Sequence, residues 1–218
     1  MSVTALPTAP VSTLLREATQ DAHSRAETTS FVTDLMSGRL SIAAFTALAA
    51  QHQAIYTALE DLGRRVVDQP GAAALVRPEL ERCAALAEDL RALTGERPVP
   101  PVLAATERYT DRLHELDDLA GYAAHAYTRY LGDLSGGQAI KRMMQRHYGM
   151  ADEGLTFYTF AQIEKIPPYK AAYRTALDEL PLDEAGRERL VEEARAAFRY
   201  NEAVFIELGA QFRPGARL

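Results

Sequence analysis

Apolar residues recur at helical spacing along nearly the whole chain, and the pattern predicts helices rather than strands. After Ser12, whose side chain suits an N-cap, Leu14, Leu15, Ala18, Ala22 and Ala26 mark one face of a helix reaching about Thr29. Gly38 punctuates a short second helix. Ser41 opens a longer one through Ala49, Ile55 and Leu59 to about Val67, where Asp68-Gln69-Pro70-Gly71 stops it. A fourth spans roughly Pro78 to Leu93 and ends at Gly95, and Pro98-Val99-Pro100-Pro101 reads as an extended loop because each proline restricts the residue before it. From Val102 to Tyr130 the periodicity continues as one long helix, which meets Gly132, Gly136 and Gly137 before resuming through Ile140, Met143 and Met144. Glycine costs about 1 kcal/mol against alanine inside a helix, so a kink is expected there. Beyond Gly149 come a loop, an aromatic segment at Phe157 to Phe160, and helices near Pro168–Leu180 and Asp183–Leu208. The expected fold class is all-α, one domain over 1–218, with 1–11 and 210–218 as flexible tails.

Composition narrows the class of protein. The 218 residues, 47% apolar and 25% charged, suit a globular domain with a sizeable core. No apolar run reaches membrane-spanning length, Met1 to Pro10 lacks a basic and apolar leader, and Arg213 to Leu218 lacks a hydrophobic anchor, so a cytoplasmic protein without a membrane anchor is expected. Cys83 is the single cysteine; without a partner for a disulfide or a CxxC pair, among Leu80, Ala84 and Leu86, it reads as a structural thiol. A net charge of −6 argues against a general nucleic-acid binder, which needs a basic surface to displace phosphate counterions.

Two stretches carry candidate chemistry. In the first helix Arg16, Thr19, His23 and Glu27 share one polar stripe. A neutral imidazole there could ligate a metal while Glu27, one turn later, accepts the other ring N–H; spacing alone equally allows a histidine on a partly exposed face. His52, His114, His125 and His147 compete for such a role without informative spacing, and neither the Glu-x-x-His pairs of di-iron bundles nor HExxH occurs. The second stretch is Tyr127-Thr128-Arg129-Tyr130-Leu131-Gly132-Asp133-Leu134-Ser135-Gly136-Gly137-Gln138. Gly132 and Gly136, one turn apart, bare the backbone along one face, either for close packing of another helix or for a flat ligand. Asp133 beside them suggests a polar network at a ligand. The LSGGQ within this stretch matches the signature of ATP-binding-cassette proteins, but no phosphate-cradling G-x-x-x-x-G-K-[ST] loop accompanies it.

With these residues in view, the chain resembles the biliverdin-forming helical haem oxygenases, of the soluble bacterial type. The Tyr127 to Gln138 segment resembles the family's distal-helix signature, and Leu15-Arg16-Glu17-Ala18-Thr19 with His23 resembles its proximal helix; the likeness covers about Leu14 to Leu208. The resemblance implies haem b as cofactor and substrate, with iron ligated by His23, Glu27 as partner of that imidazole and Thr19 on the same proximal face. It implies that Gly132 and Gly136 face the distal side, and that Asp133, with Arg129 and Tyr56, organises water that delivers protons to dioxygen at the iron. Lys170 and Arg174, joined by Arg16 and Tyr127, would hold the propionates, and Phe198, Asn201 and Phe205 would form pocket wall. Arg16 stands where relatives commonly have lysine, and Pro167-Pro168 precedes Lys170 in place of a more ordinary helical approach. The implied reaction is oxidative cleavage of haem to biliverdin, carbon monoxide and ferrous iron. Electrons would come from a ferredoxin or flavoprotein reductase, because the chain has no nucleotide-binding motif; cleavage at the α-meso position and a purpose in iron acquisition are the accompanying expectations.

Overall fold

The computed structural model describes residues 9–212, and among them it contains helices and turns but no strand. In chain order the helices are α1 (Val11–Glu27), α2 (Ser30–Met36), α3 (Ile42–Val66), α4 (Cys83–Thr94), α5 (Ala104–Glu115), α6 (Leu119–Ala126), α7 (Gly132–Tyr148), α8 (Ile166–Asp178) and α9 (Glu184–Gln211). Single 3-10 turns lie at Ala72–Ala74, Pro78–Leu80 and Thr156–Tyr158. A π-helical turn, Tyr127–Leu131, carries α6 into α7. No described helix is long and apolar enough to cross a membrane.

The core is built around α6, every residue of which is buried. Its run of alanines lets neighbours approach closely, and α9, α3 and α5 pack around it or against one another. Where α3 meets α6, a side chain at Gly63 would place its Cβ 3.1 Å from the Tyr122 ring, so glycine permits that approach. α9 is long enough to run past α6 and α5 and also to support α1 and α2. On α1 the residues turned inward are Val11, Leu15, Thr19, Ala22 and Ala26, which fall at spacings of three and four and meet α9 and α8.

Four local features differ from the sequence reading, each for a physical reason. Pro10, not Ser12, occupies the N-cap of α1. Ser12 sits inside the first turn and ties it to the end of α8 through its backbone N and its Oγ, 2.7 and 3.0 Å from the Asp178 carboxylate oxygens. The long helix from Val102 to Tyr130 is two: α5 ends at Glu115, Leu116 turns extended, and Asp118 caps α6 by accepting from the Gly121 backbone N at 2.9 Å. The fourth helix starts at Cys83 rather than Pro78, which opens a separate 3-10 turn. The irregularity expected at the glycines falls one turn earlier, in the π turn directly ahead of Gly132.

The last two helices begin near where the pattern puts them. Pro167 and Pro168 lie in the first turn of α8, where a missing N–H costs nothing. Asp183 caps α9 through the Gly186 backbone N at 2.8 Å. Buried Val11 opens α1 and α9 continues to Gln211, so helix reaches into both segments expected as tails, while 1–8 and 213–218 lie outside the described residues.

Candidate active site

A cavity of about 980 Å³ lies between α1 and α2 on one side and the π turn, α7 and α9 on the other. From α1 it is lined by His23. Its Nδ1 lies 3.4 Å from Glu27 Oε2, the residue one turn on, and its ring meets Phe198 of α9 edge-on with centroids 5.7 Å apart. Those contacts fix the ring and leave Nε2 without a partner among the described residues. The side chain is half exposed, at 51%, which suits a ligand held ready at a cavity wall better than a packed core histidine.

Across the cavity α7 presents Gly132 and Gly136. A Cβ added at either would meet no atom within 4 Å, so neither glycine is there to let another helix in. Gly137 behaves differently: its Cβ would sit 3.0 Å from Tyr158 Cδ1, the mark of a packing glycine. Of the two meanings open for the glycine pair, bare backbone facing a ligand space is therefore the one the geometry keeps.

Between these glycines Asp133 accepts a hydrogen bond from the hydroxyl of Tyr56, a fully buried residue of α3. The Arg129 guanidinium lies over the Tyr56 ring, 4.8 Å from its centroid, and donates from Nη1 to Asn201 Oδ1 at 2.7 Å. Its Nε and Nη2 are buried with no partner. Burial pushes the Asp133 carboxyl up to about 6, against the opposing pull of the Arg129 charge and the Tyr56 hydroxyl. A carboxyl poised there can both give and take a proton near neutral pH. Burial likewise raises Tyr56 well above its ordinary range, so this group remains a donor.

At the cavity's edge Arg16, Tyr127 and Arg174 come together from α1, the π turn and α8. Burial raises the Tyr127 phenol, opposed by Thr19 and by the Arg174 and Arg16 charges. Both arginines are exposed, and among the described residues Arg16 has one ionic partner, Glu17 at 3.9 Å, which leaves the pair available to an anion. Three of the expected site residues do not line the cavity, and one of them is Tyr56, fully buried behind Asp133. Thr19 is buried on the inner face of α1 and donates to the Leu15 carbonyl at 2.7 Å. Lys170 Nζ lies 2.7 Å from Ser135 Oγ, and it is Ser135 that lines the space. Phe198, Asn201 and Phe205 form wall on the α9 side, with Phe205 stacked on Phe31 at 6.5 Å.

The sequence reading missed several wall residues: Leu48 and His52 of α3, Val32, Leu35 and Met36 of α2, and Tyr158. For His52 a signal existed, because it precedes Tyr56 by one helical turn. His125 is fully buried, away from the wall, and no group of three or more His, Cys, Asp or Glu side chains among the described residues could hold a metal ion. Burial pushes the Cys83 thiol up to about 12, which keeps it protonated and inert, as a structural thiol should be.

Comparison with known proteins agrees with this geometry. The family model described as Heme oxygenase matches residues 9–207. Mouse heme oxygenase 2 is 40% identical over 207 residues, which cover 92% of this chain and 66% of that protein. The chain thus spans about two thirds of the mouse relative's length, and more, 82%, of heme oxygenase 1 from Synechocystis, to which it is 37% identical over 198 residues. The crystal structure of the Synechocystis heme oxygenase-1 in complex with heme superposes with a TM-score of 0.88 at 36% identity, covering 93% of this chain and 94% of that one. A match running from Ala9 to Glu207 takes in α1 with His23, the π turn, α7 and all the cavity walls, and by it the chain belongs to the heme oxygenase family.

Proposed function

We propose that this chain is a haem oxygenase acting as one domain: it takes haem b into the cavity between α1 and α7 and cleaves it to biliverdin, carbon monoxide and ferrous iron. Dioxygen and electrons from a ferredoxin or flavoprotein reductase complete the reaction, in the cytoplasm and in the service of iron acquisition. The observation that carries the reading is the pairing of an imidazole with a free Nε2 against two glycines whose missing side chains leave open space. A wall of bare backbone lets a planar macrocycle approach α7 closely. The orphaned N–H groups of Arg129 add a polar demand that packing alone leaves unmet.

When bound, haem supplies both the iron that activates dioxygen and the ring that is opened. His23 Nε2 would hold the iron, and Glu27, accepting a hydrogen bond from Nδ1–H, would fix tautomer and orientation. Arg16, Arg174 and Tyr127 hold the propionates, and Lys170 acts from behind through Ser135. Phe198, Asn201 and Phe205 shape the wall, and the apolar side chains of α2 exclude bulk water. Across the cavity Asp133 would hold water and exchange a proton with it through its carboxyl. Tyr56 fixes that carboxyl and Arg129 supplies charge and spare donors. The segment 131–140 that lines the cavity presents bare backbone and a carboxyl and contains no histidine.

The test is direct. Hemin added to the purified protein, followed by a reductant in air, should give a Soret band that decays as bile pigment and carbon monoxide form. His23→Ala should bind hemin more than tenfold more weakly, with a Soret position shifted from the parent protein's. An unchanged spectrum in that variant would show that His23 does not hold the iron and would overturn the reading.

A further inference from the structure

One polar side chain on the cavity wall has no part in the chemistry above. His52 of α3 is 9% exposed and lines the cavity, yet its ring makes no hydrogen bond with any described residue. Its neighbours are aromatic: the Tyr56 ring stands edge-on at 6.3 Å and the Phe157 ring is tilted at 5.4 Å. Burial, and after it the Arg129 charge, holds its pKa well below 6.5, so the ring is neutral, with one N–H to give and one lone pair to accept. A leucine would line the same wall and leave no ring nitrogen in need of a partner. Water in a polar cavity is the usual partner of such a group.

The spacing says where that water stands. His52 precedes Tyr56 by one turn on α3, and the Tyr56 hydroxyl donates to Asp133. Arg129 beside them keeps Nε and Nη2 without protein partners. The His52 ring and the Arg129 guanidinium, with its unpartnered N–H groups, thus belong to one cavity wall, supplied by α3 and the π turn. We propose that His52 is a positioning residue of the site, whose ring nitrogens hold the ordered water that joins the Tyr56–Asp133 pair to the open N–H groups of Arg129. The proton path is then anchored on α3 as well as on α7. This rests on the reading of the cavity as a haem site, because only a ligand at the iron gives that water work to do.

Carbon monoxide on the reduced, hemin-loaded protein is the probe, compared across wild type, His52→Leu and His52→Gln. In wild type the C–O stretch should shift on exchange into heavy water, because a water proton faces the ligand. His52→Leu should raise the stretching frequency and weaken that isotope shift, while His52→Gln, which keeps a donor and an acceptor, should restore both. Hemin affinity should stay within about twofold and bile-pigment formation in His52→Leu should fall about tenfold, the value of one well-placed hydrogen bond. A high-resolution structure of the unloaded wild-type protein gives an independent reading that needs no variant to fold: water within about 3.2 Å of a His52 ring nitrogen is expected. A dry ring, or a C–O band and isotope shift identical in wild type and His52→Leu, would overturn the inference alone. Wild-type protein that takes up no hemin would overturn the haem reading and this inference together.

Discussion

The Asp133 carboxyl shows how one side chain can trade stability for chemistry. Burial raises its pKa from 3.8 to about 6, so the folded protein binds its proton more tightly than the unfolded chain does. Its contribution to stability is therefore complete below about pH 3.8 and is lost as the pH rises through about 6. Asp133→Asn removes the charge and keeps an acceptor for the Tyr56 hydroxyl. Thermal unfolding at pH 8 should find the variant more stable by about 1–3 kcal/mol, and the gain should vanish near pH 4. Bile-pigment formation should fall by about 10²-fold, the typical loss of a general acid–base group. A variant no more stable than its parent at pH 8 would show that the carboxylate is not under strain. Asp133 was legible in sequence because a carboxylate between bare-backbone positions is an odd choice for packing. His52 was legible only in its place one turn before Tyr56, because what makes it notable, the Arg129 and Phe157 side chains around it, comes from segments far along the chain.

Among the elements, α7 separates two kinds of glycine that look alike in sequence. Gly136 faces open space and Gly137 faces Tyr158. Gly136→Ala should leave the fold intact and raise stability by up to about 1 kcal/mol through helix propensity, while weakening hemin binding at least tenfold. Gly137→Ala should do the reverse, destabilising the protein by about 1–3 kcal/mol as Tyr158 is displaced, with less effect on hemin affinity in the protein that remains folded. Denaturant melts and hemin titrations of both variants check the pair, and equal losses of affinity would refute the division. The amphipathic helices α1, α3 and α9 were readable because one face of each stays polar. The junction of α5 and α6 was not, since α6 is buried on every side and its apolar run continues the pattern of α5, masking the Asp118 cap. The π turn escaped for a similar reason: apolar spacing does not register a single wider turn when almost all of its residues are buried.

Across the whole molecule, the cavity keeps its shape only if α9 stays in register with α6, because α9 carries Phe198 and Asn201 while α6 leads into the π turn with Arg129. That register is held behind the site by a buried node. His125 of α6 is 3.1 Å from the Tyr109 hydroxyl and 3.3 Å from Glu193 Oε2, and Arg112 of α5 pairs with the same carboxylate. The His125 hydrogen bond, followed by Arg112, holds the Glu193 carboxyl down at about 2, and burial lowers His125 below 6.5. Both groups bind protons more readily in the unfolded chain, so stability rises with pH across their range. The Glu193 share is present above about pH 4.5 and is lost as the pH falls through about 2. Urea unfolding should show the parent protein losing stability over that window, whereas Glu193→Gln should start about 2–3 kcal/mol lower at pH 7 and lose less on acidification. Because none of the node's residues lines the cavity, the variant should still bind hemin at pH 7 while folded, and its Soret band should disappear at a lower urea concentration than the parent's. A variant as stable as its parent at pH 7 would show that packing around α6, and not this ion pair, sets the register on which the site depends.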